Sequence, residues 1–215
     1  LITGFLGSGK TTFIKKYAKY LMAQGMNIGI LENDFGAVNV DMMLLKDLEG
    51  DQCELEMVAG GCDADCHRRR FKTKLIAMGM CGYDRVIVEP SGIFDVDEFF
   101  DVLREEPLDQ WYEIGSVITI MNAKLEDTLS EEAEYLLASE AANAGCVVLS
   151  RSQDASPEEI AKTRAHLNCA LQAVHCSRQF GDEIIEKNWE DFTEQDLERI
   201  QNSGYHVEDY TKLHF

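Results

Sequence analysis

Eight residues near the start of the chain, Gly4-Phe5-Leu6-Gly7-Ser8-Gly9-Lys10-Thr11, constrain its fold more than any other feature. They fit G-x-x-x-x-G-K-[ST] in the context that motif requires. A strand end (Leu1–Thr3) precedes them, and a helical stretch (Thr11–Gln24) follows, with Phe13, Ile14, Tyr17 and Leu21 on one side. Glycines let the backbone curl until successive N–H groups converge as an anion nest. The helix that follows adds the positive end of its dipole. The expected nucleotide-binding set is therefore Gly4, Leu6, Gly7, Ser8, Gly9, Lys10, Thr11 and Thr12. Lys10 brings a point charge to the β- and γ-phosphates, and the Thr11 hydroxyl is a ligand for Mg²⁺.

Apolar strands and helical stretches alternate along the rest of the chain. Asn27–Leu31, Gln52–Val58, Tyr83–Val88, Ser116–Met121 and Cys146–Leu149 read as strands, with Leu171–His175 as a last one. Residues 67–79, Asp95–Arg104, Glu131–Asn143, Pro157–Leu167 and 181–202 read as helices, the last anchored by Trp189 and Phe192. Ser156, Pro157 and Glu159 form a helix-start signature. The rhythm predicts an α/β fold of the P-loop NTPase kind: three layers, α/β/α, around a mainly parallel sheet. Residues 1–203 form that domain in this reading, and 204–215 a tail leading toward a C-terminal domain.

Charge narrows the partners. The 215 residues carry 20 basic and 39 acidic side chains, net −19, and the excess lies almost wholly beyond residue 90. A nucleic-acid binder held by phosphate contacts would want a basic face, so that class is excluded. No apolar run reaches the roughly 18 residues of a membrane span. Seven cysteines, an odd number, do not read as a disulfide framework and point to a reducing, cytoplasmic setting.

Three further segments suit a phosphate loop. Val86-Ile87-Val88-Glu89-Pro90-Ser91-Gly92 ends a strand in a carboxylate that can hold a Mg²⁺-bound water, and Gly92 can offer its N–H to the γ-phosphate. Ile28–Gly36 places Glu32 and Asp34 at another strand end, where hard oxygens suit Mg²⁺ or orient the attacking water. Lys10, Glu32, Asp34 and Glu89 are the catalytic candidates. Ser150, Arg151 and Gln153 follow a late strand, where GTP-binding proteins read the base. The Gln153 amide accepts one guanine N–H where a carboxylate accepts two, so GTP and ATP both stay open. The same stretch also reads as a plain turn without base contact.

A cysteine segment, Gly60-Gly61-Cys62-Asp63-Ala64-Asp65-Cys66-His67, gathers thiols, carboxylates and an imidazole. Cys62, Cys66 and His67 suit Zn²⁺ or a similar ion. Small residues at a helix start, or a redox pair, fit the same spacing. Arg68, Arg69 and Arg70 read as a solvated helix face or as a phosphate contact across a dimer.

In order, the phosphate loop, Glu32-Asn33-Asp34-Phe35-Gly36, Gly61-Cys62 and Glu89-Pro90-Ser91-Gly92 resemble the CobW-type GTPases, metallochaperones related to the nickel-insertion GTPases of urease and hydrogenase maturation. The resemblance covers nearly the whole chain. It departs from the family pattern at Cys-x-Cys-Cys, where only Cys62 matches, and at Asn-Lys-x-Asp, where Ser150-Arg151-Ser152-Gln153 stands. It implies Mg²⁺-dependent hydrolysis of GTP, or ATP, coupled to delivery of Zn, Co or Ni to a metalloenzyme or corrinoid-protein client, with an oligomer as one form. A small-molecule kinase is the enzyme alternative and needs a basic lid, for which Arg104, Arg151 and Arg178 are candidates. A non-hydrolysing, nucleotide-gated binding module is the other.

Overall fold

The computed structural model describes residues 1–5, 7–34, 40–59, 64–90, 96–126 and 128–213. In chain order the elements are β1 (Ile2–Thr3), α1 (Lys10–Ala23), β2 (Ile28–Asp34), α2 (Val40–Leu45), β3 (Cys53–Ala59), α3 (Ala64–Gly79), β4 (Arg85–Pro90), α4 (Val96–Leu103) and α5 (Leu108–Trp111). They continue with β5 (Ile118–Asn122), α6 (Glu131–Ala142), β6 (Cys146–Ser150), α7 (Pro157–Ala173), β7 (Ile184–Ile185) and α8 (Glu194–Gln201). The chain divides into two compact units, Leu1–Ile2 with Thr11–Glu113, and Thr3–Lys10 with Ile114–Phe215.

The first unit holds a three-stranded sheet in the order β3-β2-β4, with both neighbours parallel to β2. Ile28, Ile30, Leu31, Ile87 and Val88 are buried, the continuous apolar run of strands covered on both faces. Helix α1 buries Phe13, Ile14, Tyr17, Ala18 and Leu21, the stripe expected from its spacing. Helix α3 buries Phe71, Leu75 and Met78, and Phe71 meets Phe99 of α4 with ring centroids 6.4 Å apart.

The other sheet has the order β1-β5-β6-β7, its strands β5, β6 and β7 all in the second unit, with β6 parallel to both β5 and β7. All five residues of β6 are buried. Helix α7 opens on the expected capping box, with the Ser156 hydroxyl accepting from Glu159 N–H and the Glu159 carboxylate from Ser156 N–H. Arg178 is buried, donates to Ala142 O at 2.9 Å at the end of α6, and lies over the Phe180 ring. Its guanidinium thus satisfies a helix C-terminus and is not placed as a lid. The tail is tied down by main-chain bonds: Val117 to Gly204 O, His206 to Asn143 O and Thr211 to Val174 O.

Two local readings fail. Leu171–His175 is not a strand, because α7 runs to Ala173 and its buried stripe of Thr163, Leu167, Ala170 and Leu171 keeps helical spacing. Residues 181–202 are not one helix. The β-branched pair Ile184–Ile185 adds to the sheet, Asn188 caps a short 3-10 turn at Trp189–Asp191, and Thr193 caps α8 with a second capping box.

Candidate functional site

The loop between β1 and α1 has the backbone its glycines forecast. Gly4, Gly7 and Gly9 stand at φ +138°, +76° and +94°. A methyl on Gly4 would lie 2.2 Å from the Ile120 carbonyl oxygen, so glycine is required there by space as well as by φ. Ser8 N–H donates to Phe5 O at 3.0 Å and closes the turn. The buried Ser8 hydroxyl has no hydrogen-bond partner among the described residues, a group that a ligand oxygen would satisfy. Lys10 opens α1, and its Nζ donates to Gly4 O at 2.7 Å and to Phe5 O at 3.2 Å. Thr11 is buried and Thr12 exposed. Leu6 lies outside the described residues.

Behind the loop runs a polar network that the sequence did not announce. The hydroxyls of Thr3 and Thr119 are 2.8 Å apart, and Thr119 Oγ1 donates to Glu140 O at 3.0 Å. The Glu140 carboxyl lies beside Lys10 and accepts from Gly4 N–H. Burial nonetheless pushes its pKa up to about 7. In sequence Glu140 is one acid of an acidic helix, with nothing to single it out.

The candidate carboxylates Glu32 and Glu89 sit in the first unit. Glu32 of β2 and Glu89 of β4 occupy the same register across a parallel pair, and they are only 3 % and 5 % exposed. Residues in register on adjacent strands share a face, so two buried carboxylates stand side by side at the carboxyl ends of the strands. Such a pair is favoured by a shared cation, and a hard all-oxygen donor set suits Mg²⁺. Asp34 ends β2, with its side chain outside the described residues, as is Gly92.

At the end of β6, Ser150 is buried, with its hydroxyl 3.4 Å from Met121 O. Arg151 takes the left-handed conformation (φ 54°), which throws the exposed Gln153 onto a short 3-10 turn. The residue missed near the loop is Trp189: a methyl on Gly9 would lie 2.8 Å from its ring. A tryptophan inside a stretch read as one helix gave no sign of that approach.

In the cysteine segment, Cys62 lies outside the described residues. Cys66 and His67 are neighbours on α3 and so point about 100° apart. Cys66 lines a cleft of about 600 Å³ with Met57, Arg69, Arg70 and Lys74, whereas His67 is buried. No group of three metal-ligating side chains occurs among the described residues. Arg68 and Lys72 both pair with Glu105, at 2.7 and 2.6 Å, and hold that carboxyl below its usual range. No described helix is long and apolar enough to cross a membrane.

The family model "CobW/HypB/UreG, nucleotide-binding domain" matches residues 1–179. The chain is similar to the zinc chaperone YeiR of Escherichia coli K12, 28 % identical over 162 residues that cover 74 % of this chain and 47 % of that protein. It is also similar to the zinc chaperone YjiA of the same strain, 30 % identical over 134 residues, covering 57 % and 39 %. It spans about half the length of the curated relatives it matches. Among solved structures, the hydrogenase maturation factor HypB of Archaeoglobus fulgidus aligns with TM-score 0.50 at 16 % identity over 79 % of this chain and 74 % of that one. The signal recognition particle receptor FtsY of Elizabethkingia anophelis aligns with TM-score 0.54 at 14 % identity, over 94 % and 61 %. These likenesses speak for the fold, an α/β P-loop NTPase with parallel strands. The family match takes in the phosphate loop, both carboxylate strands and the turn after β6, and the chain belongs to the CobW/HypB/UreG nucleotide-binding domain family.

Proposed function

We propose that this domain binds and hydrolyses a magnesium nucleoside triphosphate, GTP before ATP, and that hydrolysis governs binding and release of a transition metal cargo for a client metalloenzyme in the cytoplasm. The observation that carries the reading is the glycine loop, with three positive φ values and a buried hydroxyl, leading into a 14-residue helix opened by Lys10. The likeness to YeiR and YjiA, both zinc chaperones, puts zinc first among the cargoes, ahead of cobalt or nickel.

The residues divide the work. Main-chain N–H groups of Gly4–Gly9 and the start of α1 hold the phosphates. Lys10 leaves the Gly4 and Phe5 carbonyls for the β- and γ-phosphate oxygens. Thr11, Glu32 and Glu89 would hold Mg²⁺, which when bound neutralises charge developing on the phosphate oxygens. Glu32 or Asp34 orients the attacking water, and Gly92 senses the γ-phosphate. Cys62 and Cys66 would carry the cargo, whereas His67, buried and turned about 100° from Cys66, would not face the same ion. Phosphate release from GTP and ATP, with and without Mg²⁺, tests the first half. It should require Mg²⁺ and vanish in Lys10→Ala; release unaffected by that change contradicts the assignment. Zn²⁺ affinity of the GTP- and GDP-loaded protein tests the second half. It should differ between the two states and fall in Cys62→Ser/Cys66→Ser; equal affinities would remove the coupling.

A further inference from the structure

Strands β6 and β7 are parallel and in register, Val147 opposite Ile184 and Val148 opposite Ile185. The segments leaving their carboxyl ends therefore emerge on one edge, the edge where α/β folds hold ligands. From β6 comes Ser150-Arg151-Ser152-Gln153, and from β7 comes Glu186-Lys187-Asn188-Trp189. The Asn188 side chain accepts from Glu190 N–H at 3.2 Å and fixes the turn that turns the indole onto the phosphate loop. A methyl on Gly9 would meet Cη2 of the ring at 2.8 Å, Cζ2 at 3.5 Å and the Ser150 Cβ at 3.8 Å. The glycine before Lys10 thus makes room for the rim of the indole, and Trp189 is half-buried. Among its charged neighbours, Glu186 pairs with Arg164 and Lys187 with Asp196, while Glu190 and Asp191 are exposed. On the β6 side, Gln153 offers a guanine edge a single acceptor where a carboxylate offers two.

We propose that Trp189 is the platform of the base subsite, holding the purine by stacking, so that GTP leads ATP by only a small factor in affinity. The proposal rests on the triphosphate reading above and adds what holds the base. Stacking is tolerant because every base has a π-face, and it does not need a carboxylate at the position of Gln153.

The test uses Trp111→Phe as background, which leaves Trp189 as the sole tryptophan. Emission should change on titration with MgGTP or MgATP and stay constant with magnesium tripolyphosphate. By calorimetry in that background, Trp189→Ala should bind both nucleotides roughly tenfold more weakly and tripolyphosphate unchanged, while Trp189→Phe keeps most of the nucleotide affinity. The GTP and ATP affinities of the parent should agree within about threefold. Nucleotide affinity equal or higher in Trp189→Ala overturns the proposal and makes the ring packing or a plug. An equal loss of tripolyphosphate overturns it too, since the ring then only supports the loop. So does a preference for either nucleotide above about threefold, since reading of the base edge then outweighs stacking. If the parent takes up neither tripolyphosphate nor nucleotide, the triphosphate reading itself fails. Tripolyphosphate bound with Trp189 indifferent sinks the platform alone.

Discussion

Replacing Glu140 by glutamine is expected to stabilise the protein above neutral pH and to leave it nearly unchanged at pH 4. The carboxyl is buried behind the phosphate loop, and its pKa of about 7 compares with 4.5 for an ordinary glutamate. An acid whose folded pKa lies above its unfolded value keeps its proton longer in the native state. Stability is therefore complete below about pH 4.5 and falls as pH rises through about 7. A difference of about 2.5 units corresponds to about 3 kcal/mol at 1.36 kcal/mol per unit. Glutamine carries no charge at any pH in this range, and its Oε1 can still accept from Gly4 N–H. The difference in unfolding free energy, Glu140→Gln variant minus wild type, should grow from near zero at pH 4 to about 2–3 kcal/mol at pH 8. Urea unfolding of both proteins at matched pH values measures it. The difference is the informative quantity, because a chain of net charge −19 will show its own pH dependence in both proteins. A gap that does not vary with pH would refute the reasoning. So would a wild type that gains on the variant as pH rises, which would mean that Lys10 outweighs desolvation.

Other consequences are as direct. Gly4→Ala forces a methyl to 2.2 Å from the Ile120 carbonyl at φ +138°, and should cost about 3 kcal/mol or more in thermal unfolding along with triphosphate binding. Phe71→Ala empties a fully buried site beside Phe99 and should cost about 3–5 kcal/mol in denaturant unfolding, with triphosphate affinity kept. Glu32→Gln and Glu89→Gln should each raise the Mg²⁺ concentration needed to retain triphosphate by about tenfold or more, read by a Mg²⁺ titration of bound fluorescent nucleotide. An unchanged midpoint would remove that residue from the ion's ligand set.

The phosphate loop was legible because its requirement is local: glycines at fixed spacing before Lys10 have one cheap backbone solution. Glu32 and Glu89 were legible as strand-end carboxylates, but their shared register needed the ladder between β2 and β4. Leu171–His175 misled because a short apolar run fits a helix end as well as a strand, and only its buried stripe decides. Over 181–202, acidic composition hid two caps and a β-branched pair that divide the segment. Glu140 and Trp189 were out of reach for a different reason. Each approaches the loop through contacts more than a hundred residues distant in sequence, and neither spacing nor composition encodes such an approach.

A calorimetric titration of the protein with MgGTP, repeated on Lys10→Ala, bears most directly on the central claim. One nucleotide per chain, bound by wild type in a Mg²⁺-dependent way and largely lost from the variant, is the expected result. Wild type that takes up neither MgGTP nor MgATP would contradict it.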